Sequence, residues 1–219
     1  RAIDADTRIV FVANPNNPTG TFEAPTAVMS FLRAVPPEVL VVLDEAYTEY
    51  LPQAQRTDAA ALLKLFTNLV ITRTFSKAYG LAGLRVGYAA AHPQVADLMN
   101  RVRQPFNVNS LSLVAAQAAL DDGEFLQHSR AVNEQGMGTL QAGFKRMNLE
   151  YIPSVANFIT VKVGAAPAVY QGLLKRGVIV RPVGNYALPE FLRVTIGTPA
   201  QNERFLSALQ GVLAEQSHR

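Results

Sequence analysis

The sequence of 219 residues contains no cysteine and no tryptophan. Without thiols the chain can form neither a disulfide nor a thiolate metal site, so nothing in it requires an oxidising compartment. No apolar run approaches the roughly 20 residues needed to span a bilayer, and residues 1–6 lack the pattern of a signal peptide. These absences favour a cytoplasmic protein that is not bound to a membrane.

Neither sign of charge is in large excess, because 20 basic and 17 acidic residues leave a net charge of only +3. So small an excess does not support nucleic-acid binding. The three histidines are scattered along the chain, so no metal site is expected. Neither a P-loop nor a dinucleotide-binding glycine motif is present. With 49% hydrophobic residues, the chain is instead typical of a globular protein with one sizeable core and a smaller one.

Three strongly apolar runs each lead directly into a polar segment; they span residues 8–13, 39–43 and 69–72. Helical patterns separate them, which predicts parallel strands covered on both faces. Ligands of such sheets bind beyond the carboxyl ends of the strands. The polar residues that follow the three runs are therefore expected to converge on one cleft: Asn17, Asp44, and the pair Ser76 and Lys77.

Lys77 follows the third run and has hydroxyl side chains nearby, with Arg85 eight positions further along. A lysine amine held beside an anion site is typical of a pyridoxal phosphate enzyme, in which the lysine binds the cofactor covalently. Ser76 and Arg85 are then expected to hold the phosphate, and Thr74 adds a further hydroxyl donor.

Other candidate residues suit the ring of the same cofactor. A carboxylate at Asp44 would face the pyridine nitrogen and keep it protonated, so that the ring can withdraw electrons. Asn17 and Tyr47 can each donate a hydrogen bond to the phenolate oxygen. Each residue also has an ordinary interpretation; Asp44 and Glu45, for example, could simply cap a helix beginning at Ala46. Their joint occurrence favours the cofactor site.

In their order and spacing these segments resemble the fold-type-I aminotransferases, the matching residues being 17–20, 44–47, 76–77 with Arg85, and 191–197. The resemblance implies an α/β protein. Its large domain, at residues 1–121, is expected to have three layers around a mostly parallel sheet. A smaller α+β domain is expected at residues 122–219 and includes the interdomain helix.

The resemblance also implies a homodimer and a long upstream segment. In the family that segment carries a phosphate-binding turn, an aromatic residue that stacks on the cofactor ring, and an arm around the partner subunit. Because the chain starts only a few residues before the first catalytic loop, we expect it to be incomplete as a catalyst.

Within the superfamily, residues 15–20, 73–85 and 156–158 most resemble the histidinol-phosphate aminotransferase branch. The resemblance implies that Arg193 binds the substrate phosphate, that Asn17 contributes to the substrate site, and that 2-oxoglutarate accepts the amino group. Arg181 lies twelve residues before Arg193, and two guanidinium groups suit a phosphate dianion better than one does. An ordinary surface ion pair explains Arg181 equally well.

Several alternatives share the same residues. One is an aromatic or general aminotransferase. Another is a decarboxylase of phosphorylated amino acids, which uses the same cofactor residues and differs in the bond held perpendicular to the ring. A non-catalytic binding module, as in aminotransferase-like transcription regulators, is disfavoured by the intact Lys77 and by the lack of a DNA-binding segment.

Further along the chain, hydrophobic periodicity predicts helices at residues 93–103, 110–120, 125–147 and 167–175, and from residue 199 onward. Strand-like runs occupy residues 157–163, 178–181 and 192–196.

Overall fold

A computed structural model describes residues 2–217 of the chain. The chain divides into two compact units. The first comprises residues 2–16 and Phe22–Gln127, and the second comprises Asn17–Thr21 and residues 128–217. This division differs from the predicted domains in two respects, since residues 17–21 group with the later unit and the later boundary falls six residues after 121. The two domains of the family therefore remain a proposal for this chain.

The first unit is built on a four-stranded sheet of order β1-β2-β3-β4, whose strands are Ile9–Ala13, Leu40–Asp44, Leu69–Thr74 and Gly87–Ala91. The first three strands are parallel and the fourth is antiparallel. The helices of this unit are α1 (Pro25–Ala34), α2 (Ala59–Leu65), α3 (Pro93–Val102) and α4 (Ser110–Asp121). A helix α5 (Gly123–Arg146) begins in this unit and continues into the second. The predicted α/β, mostly parallel architecture is confirmed.

Parallel pairing places the ends of the first three strands at one edge of the sheet. Ala13 pairs with Asp44 and Asp44 pairs with Thr72. The polar segments that follow the three strands therefore start from adjacent positions at this edge. Strand β4 was not predicted, because its glycine and alanine residues give no strand-like pattern. Gly87 explains the close pairing, since a Cβ atom there would lie 2.6 Å from the carbonyl oxygen of Arg73.

One face of the sheet carries the core of the first unit. Alternate residues such as Val41, Leu43 and Ile71 are almost fully buried and cluster with Val28 and Leu32 of α1. Helix α1 begins at Pro25. Proline suits the first position of a helix because an N–H group there would have no partner within the helix, so its absence costs no hydrogen bond.

Coverage of both sheet faces was also predicted, and for β1 this was wrong. Its side chains Ile9 and Phe11 are 50% and 75% exposed. These residues occupy alternate positions of the strand and so share one face of it. That face of β1 is uncovered within the described part of the chain.

Helix α4 buries small residues and exposes large apolar ones. Its small residues Ser112 and Ala116 are buried, and the Ser112 hydroxyl donates to the carbonyl oxygen of Leu84 at 2.8 Å. Large apolar side chains of the same helix face solvent, among them Leu111, Leu113 and Val114. The small side chains on the buried face allow the helix to approach its neighbours closely, and this face buries little apolar area.

The second unit contains a sheet of order β5-β6-β8-β7, with strands Tyr151–Ile152, Phe158–Lys162, Phe191–Thr195 and Arg181–Pro182. All of its pairings are antiparallel. The sheet packs with α5, α6 (Ala166–Lys175) and α7 (Pro199–Ser217) around a core that includes Leu140, Phe144, Ile159, Leu173 and Leu209. The predicted helices and strands of this half are present, although the run at residues 178–181 contributes only its last residue to a strand.

Candidate active site

Lys77 stands just beyond the carboxyl end of β3. Its neighbours Phe75 and Ala78 are 4% and 1% exposed, whereas Lys77 itself is exposed, so the turn is anchored on either side of the lysine. Backbone bonds close the turn, because Gly80 N–H donates to the Lys77 carbonyl oxygen at 3.0 Å and Leu81 N–H donates to that of Phe75 at 2.9 Å. The lysine amine is thus presented from a rigid support.

The Lys77 amine lies over the ring of Tyr47, with Nζ 5.5 Å from the ring centroid. This distance is within the range of a cation–π contact. Tyr47 is 5% exposed and belongs to the segment that follows β2. The structure therefore brings together Lys77 and Tyr47, which lie 30 positions apart in the sequence.

Asp44 is the last residue of β2, and its carboxylate is exposed at the same edge of the sheet. Its Oδ1 accepts a hydrogen bond from the N–H of Ala46 at 3.1 Å, which closes a short Asx turn. The helix beginning at Ala46 that the alternative interpretation of Asp44 as a cap requires is not formed; the chain instead makes a 3₁₀ turn at Thr48–Tyr50. Asp44 thus shares the carboxyl edge with Lys77 and Tyr47.

The residues predicted to hold the phosphate also lie in the first unit. The Thr74 hydroxyl accepts from Ser76 N–H at 3.1 Å, which fixes both hydroxyl-bearing residues in one turn. Arg85 follows a 3₁₀ turn at Ala82–Leu84 and adopts left-handed backbone angles, with φ +52°. Such angles cost a residue with a Cβ about 1–2 kcal/mol. Its Nη1 donates to the Ala82 carbonyl oxygen at 2.8 Å, and the side chain is otherwise exposed.

Hydroxyl groups and an exposed guanidinium are donors that suit an anion, and the carboxylate of Asp44 suits a protonated ring nitrogen. Together with an accessible primary amine at Lys77, this donor set fits the chemistry of a phosphorylated pyridoxal ring. The fit rests on the residues of the first unit.

In the second unit, Arg193 contacts Asn17. Arg193 lies in β8 and donates from Nη1 to the side-chain oxygen of Asn17. Its guanidinium carbon lies 4.9 Å from the ring centroid of Phe158, and its Nε is buried without a hydrogen-bond partner among the described residues. Because Asn17 uses its oxygen here, its amide nitrogen is the group able to donate to another partner.

The loop that carries Asn17 is tied to the sheet of the second unit. The buried hydroxyl of Thr160 donates to the carbonyl oxygen of Pro18 at 2.5 Å. Val155 N–H donates to the Gly20 carbonyl oxygen at 3.0 Å. Gly20 has φ +76°, and a Cβ atom there would collide with Ser154, so only glycine fits. These contacts explain why this short loop belongs to the later unit.

Arg181 lies directly opposite Arg193, since the two residues pair between β7 and β8. Both line one cavity of about 630 Å³, together with Tyr170 and Asn185. Arg181 is exposed, and it shares no described ion pair of 4 Å or less with a carboxylate. The structure thus places the two arginines of the predicted phosphate site side by side.

The sequence-based interpretation missed a buried ion pair. Glu45 is 2% exposed, and its Oε2 accepts from Nε and Nη2 of Arg73 at 2.9 and 2.7 Å. Its Oε1 accepts from the Thr57 hydroxyl. The available signal was positional: Glu45 directly follows β2, and Arg73 is the penultimate residue of the neighbouring β3.

Burial raises the pKa of Glu45 above its ordinary value, and the hydrogen bonds and charge of Arg73 offset only part of that rise. Burial also lowers the pKa of Arg73, but hydrogen bonding and charge from Glu45 outweigh it and raise the pKa overall. Glu49 lies nearby and is 5% exposed, and burial raises its pKa as well. The carboxyl end of β2 therefore carries several carboxylates with different surroundings.

Within residues 2–217, no group of three or more histidine or acidic side chains could hold a metal ion. Over the same range no helix is both long and apolar enough to cross a membrane.

The sequence matches the model of the family described as aminotransferase class I and II over residues 1–209, and the chain belongs to this family. It is 60% identical, over 212 residues, to histidinol-phosphate aminotransferase 1 of Dechloromonas aromatica (strain RCB). It is 61% identical, over 215 residues, to histidinol-phosphate aminotransferase 2 of Pseudomonas fluorescens (strain Pf0-1). Both matches cover 97% of this chain but only 59% and 58% of those proteins, so the chain spans somewhat more than half the length of these relatives.

Solved structures give the same fold. The histidinol-phosphate aminotransferase of Sinorhizobium meliloti in complex with pyridoxal-5'-phosphate matches with a TM-score of 0.90 and 31% identity, over 95% of this chain and 58% of that one. L-threonine-O-3-phosphate decarboxylase of Porphyromonas gingivalis matches with a TM-score of 0.84 and 26% identity, over 97% of this chain and 67% of that one. The resemblance to fold-type-I aminotransferases is thereby confirmed.

Proposed function

We propose that the chain carries the catalytic lysine of a pyridoxal phosphate-dependent aminotransferase that acts on histidinol phosphate. With 2-oxoglutarate as amino acceptor, the products are imidazole acetol phosphate and glutamate, a step of histidine biosynthesis. The observation that carries the proposal is the Lys77 amine over the Tyr47 ring at the sheet edge that also carries Asp44. Similarity to the histidinol-phosphate aminotransferases supports the substrate.

The residues divide the work of holding the cofactor. Thr74, Ser76 and Arg85 provide hydroxyl groups and a permanent cation for the phosphate. Asp44 provides the carboxylate for the ring nitrogen, while Tyr47 and Asn17 provide donors for the phenolate oxygen. When bound, pyridoxal phosphate draws electrons from the substrate's Cα and so makes its proton acidic.

Lys77 has two tasks in this proposal. Its amine would hold the cofactor covalently, and the same amine would act as the base that moves the Cα proton of the substrate. The anchored neighbours Phe75 and Ala78 limit where Nζ can go, and the Tyr47 ring lies on one side of it, 5.5 Å away at its centroid. A base held in this way needs little reorganisation to reach the proton.

The substrate phosphate is assigned to Arg193 and Arg181. A phosphate dianion between two guanidinium groups removes the repulsion that two like charges on facing strand positions otherwise suffer. The cavity of about 630 Å³ that both line lies within the range usual for small-molecule sites. This arrangement favours a phosphorylated substrate over an unphosphorylated amino acid.

Similarity to the P. gingivalis phosphothreonine decarboxylase supports a second candidate, a decarboxylase of a phosphorylated amino acid. The test is to extend the chain to the length of its relatives, load that protein with pyridoxal phosphate, confirm binding by its visible absorption, and add each substrate in turn. Amino transfer from histidinol phosphate to 2-oxoglutarate supports the first candidate. Release of carbon dioxide from O-phosphothreonine, without amino transfer from histidinol phosphate, replaces it with the second.

A homodimer and a cytoplasmic location are parts of the same proposal and follow from the family. The exposed apolar side chains Leu111, Leu113 and Val114 of α4 support an interface, since large apolar patches on a surface usually mark one. Sedimentation tests the dimer, and an active monomer would refute it.

A further inference from the structure

The ladder between β2 and β3 ends where the candidate site begins. Its last rung pairs Asp44 with Thr72, and the final backbone bond runs from Glu45 N–H to the Thr72 carbonyl oxygen at 2.9 Å. Beyond this point the two segments that carry Asp44 and Lys77 are no longer joined by ladder pairing. The Glu45 and Arg73 side chains bridge them here, with Arg73 Nη2 at 2.7 Å from Glu45 Oε2.

The Glu45–Arg73 pair is held by contacts to several neighbouring segments of the fold. Both Arg73 nitrogens contact one carboxylate oxygen of Glu45, and the Thr57 hydroxyl donates to the other. Arg73 also pairs across the sheet with Tyr88 of β4, whose ring centroid lies 5.9 Å from that of Phe75. The pair therefore connects β2, β3 and β4 at the end that carries the site.

Stability alone gives little reason for such a pair. Removing two charges from water offsets much of their attraction, and apolar residues of similar size often stabilise a fold equally well. What an ion pair with two directed hydrogen bonds does provide is a fixed geometry. The residues fixed in this case are direct neighbours of Asp44 on one side and of Thr74 on the other.

We propose that the Glu45–Arg73 pair is a positioning device that holds Asp44 and the turn at residues 74–77 in their mutual arrangement. The inference rests on the proposed function, because it assigns a purpose to the arrangement only if Asp44 and Lys77 serve one cofactor. It adds two residues that touch neither cofactor nor substrate.

The chain offers a matched control at the other end of the same two strands. The Asn68 side chain donates from Nδ2 to the Val39 carbonyl oxygen at 2.8 Å, so it also bridges the β2 and β3 segments, at their amino ends. Asn68→Ala removes an interstrand contact without touching the carboxyl edge. Loss of interstrand contacts in general is thereby separated from loss of this pair.

The experiment compares Glu45→Gln, Arg73→Lys and Asn68→Ala with the unaltered chain. In the cofactor-free protein, hydrogen exchange at Gly80 and Leu81 reports on the turn, because both amides close it. In the loaded protein, an absorbance titration gives the dissociation constant of pyridoxal phosphate. We expect Glu45→Gln and Arg73→Lys each to speed exchange and to raise the dissociation constant by roughly tenfold or more, the scale of a lost charge-assisted hydrogen bond.

Asn68→Ala is expected to lower the melting temperature and to leave both quantities within about twofold of the unaltered chain, since it acts at the far end. Should Glu45→Gln not fold, Arg73→Lys carries the test because it retains the charge. Equal effects of Asn68→Ala, or no effect of the pair variants on exchange, overturn the inference. If the unaltered chain binds no pyridoxal phosphate, the proposed function fails for it, and the exchange data still decide whether the pair holds the turn.

Discussion

Arg181 and Arg193 occupy directly facing positions on two antiparallel strands and line the same cavity. Facing residues of like charge destabilise a sheet by about 0.2–1 kcal/mol relative to a neutral pair. An anion bound between them converts this repulsion into two charge-assisted contacts. In the proposed phosphate site, this arrangement would exchange some stability of the unliganded protein for affinity toward a dianion.

Replacing Arg181 by alanine should weaken binding of histidinol phosphate by about ten- to a hundredfold, the scale of a lost charge-assisted hydrogen bond. Histidinol, which lacks the phosphate, should be much less affected. The ligand-induced rise in melting temperature measures both affinities. Arg204→Ala removes an arginine from a different cavity and is the control. Equal losses for both ligands would make Arg181 a structural residue and favour a general or aromatic aminotransferase.

Replacing Lys77 by alanine should abolish the covalent attachment of pyridoxal phosphate. Borohydride fixes the cofactor to the lysine that holds it, so mass spectrometry of the digested protein identifies the site. Lys64→Ala and Lys162→Ala are controls; the first lies in α2 and the second pairs with Glu190 at 3.5 Å. Label recovered on Lys64 or Lys162 in the unaltered chain would show that Lys77 is not the attachment site.

Replacing Asp44 by asparagine should leave the fold intact, because the new side chain can still accept from Ala46 N–H. The negative charge that we propose for the ring nitrogen is lost, and we expect single-turnover amino transfer by the protein extended to the length of its relatives to slow by about 10²–10³, as when one preorganised polar group is removed. Asp58→Asn is a matched control, since Asp58 also accepts from a backbone N–H, that of Ala61, at 3.0 Å. An unchanged rate in the Asp44 variant would exclude Asp44 as the ring partner.

Glu49 should make the protein less stable as the pH rises. Burial raises the pKa of Glu49 in the folded protein above 4.5, so the native state keeps its proton to a higher pH than the unfolded state does. Between the two pKa values the native state binds more protons, and the free energy of unfolding therefore falls with pH until Glu49 is fully ionised. Glu45 shifts in the same direction and adds to this slope.

Glu49→Gln should flatten this pH dependence, so that the melting temperature of the variant rises relative to that of the unaltered chain as the pH increases above the ordinary pKa of a glutamate. Glu203→Gln, at an exposed position of α7, supplies the reference slope. A difference between Glu49→Gln and the unaltered chain that stays constant with pH would contradict the expected titration.

The parallel strands and the residues at their ends were predictable because they leave local signals. Apolar β-branched runs identify β1, β2 and β3, and parallel pairing then requires Asp44 and Lys77 to lie at one edge of the sheet. The roles of those residues were inferred from their chemistry and their joint occurrence, with the family resemblance in support, and they remain proposals. Strand β4 escaped notice because small residues that serve close approach have no strand-like periodicity.

The contacts that were not predicted join residues far apart in the sequence. Glu45 and Arg73 are separated by 28 positions, and Asn17 and Arg193 by 176. No local pattern distinguishes a buried glutamate from a helix cap, which is the ordinary interpretation of an acidic pair after a strand. Only the order of β2 and β3 in the sheet makes Arg73 the partner of Glu45.

The short loop Asn17–Thr21 makes the second unit discontinuous in the chain. Pro18 is synthesised 142 positions before Thr160, whose fully buried hydroxyl depends on the Pro18 carbonyl oxygen. A piece that began at residue 128 would carry that hydroxyl without its acceptor, and an unsatisfied buried polar group costs about 1–3 kcal/mol. No single cut of the polypeptide therefore yields two self-sufficient halves, because the later unit needs residues 17–21 for its buried contacts.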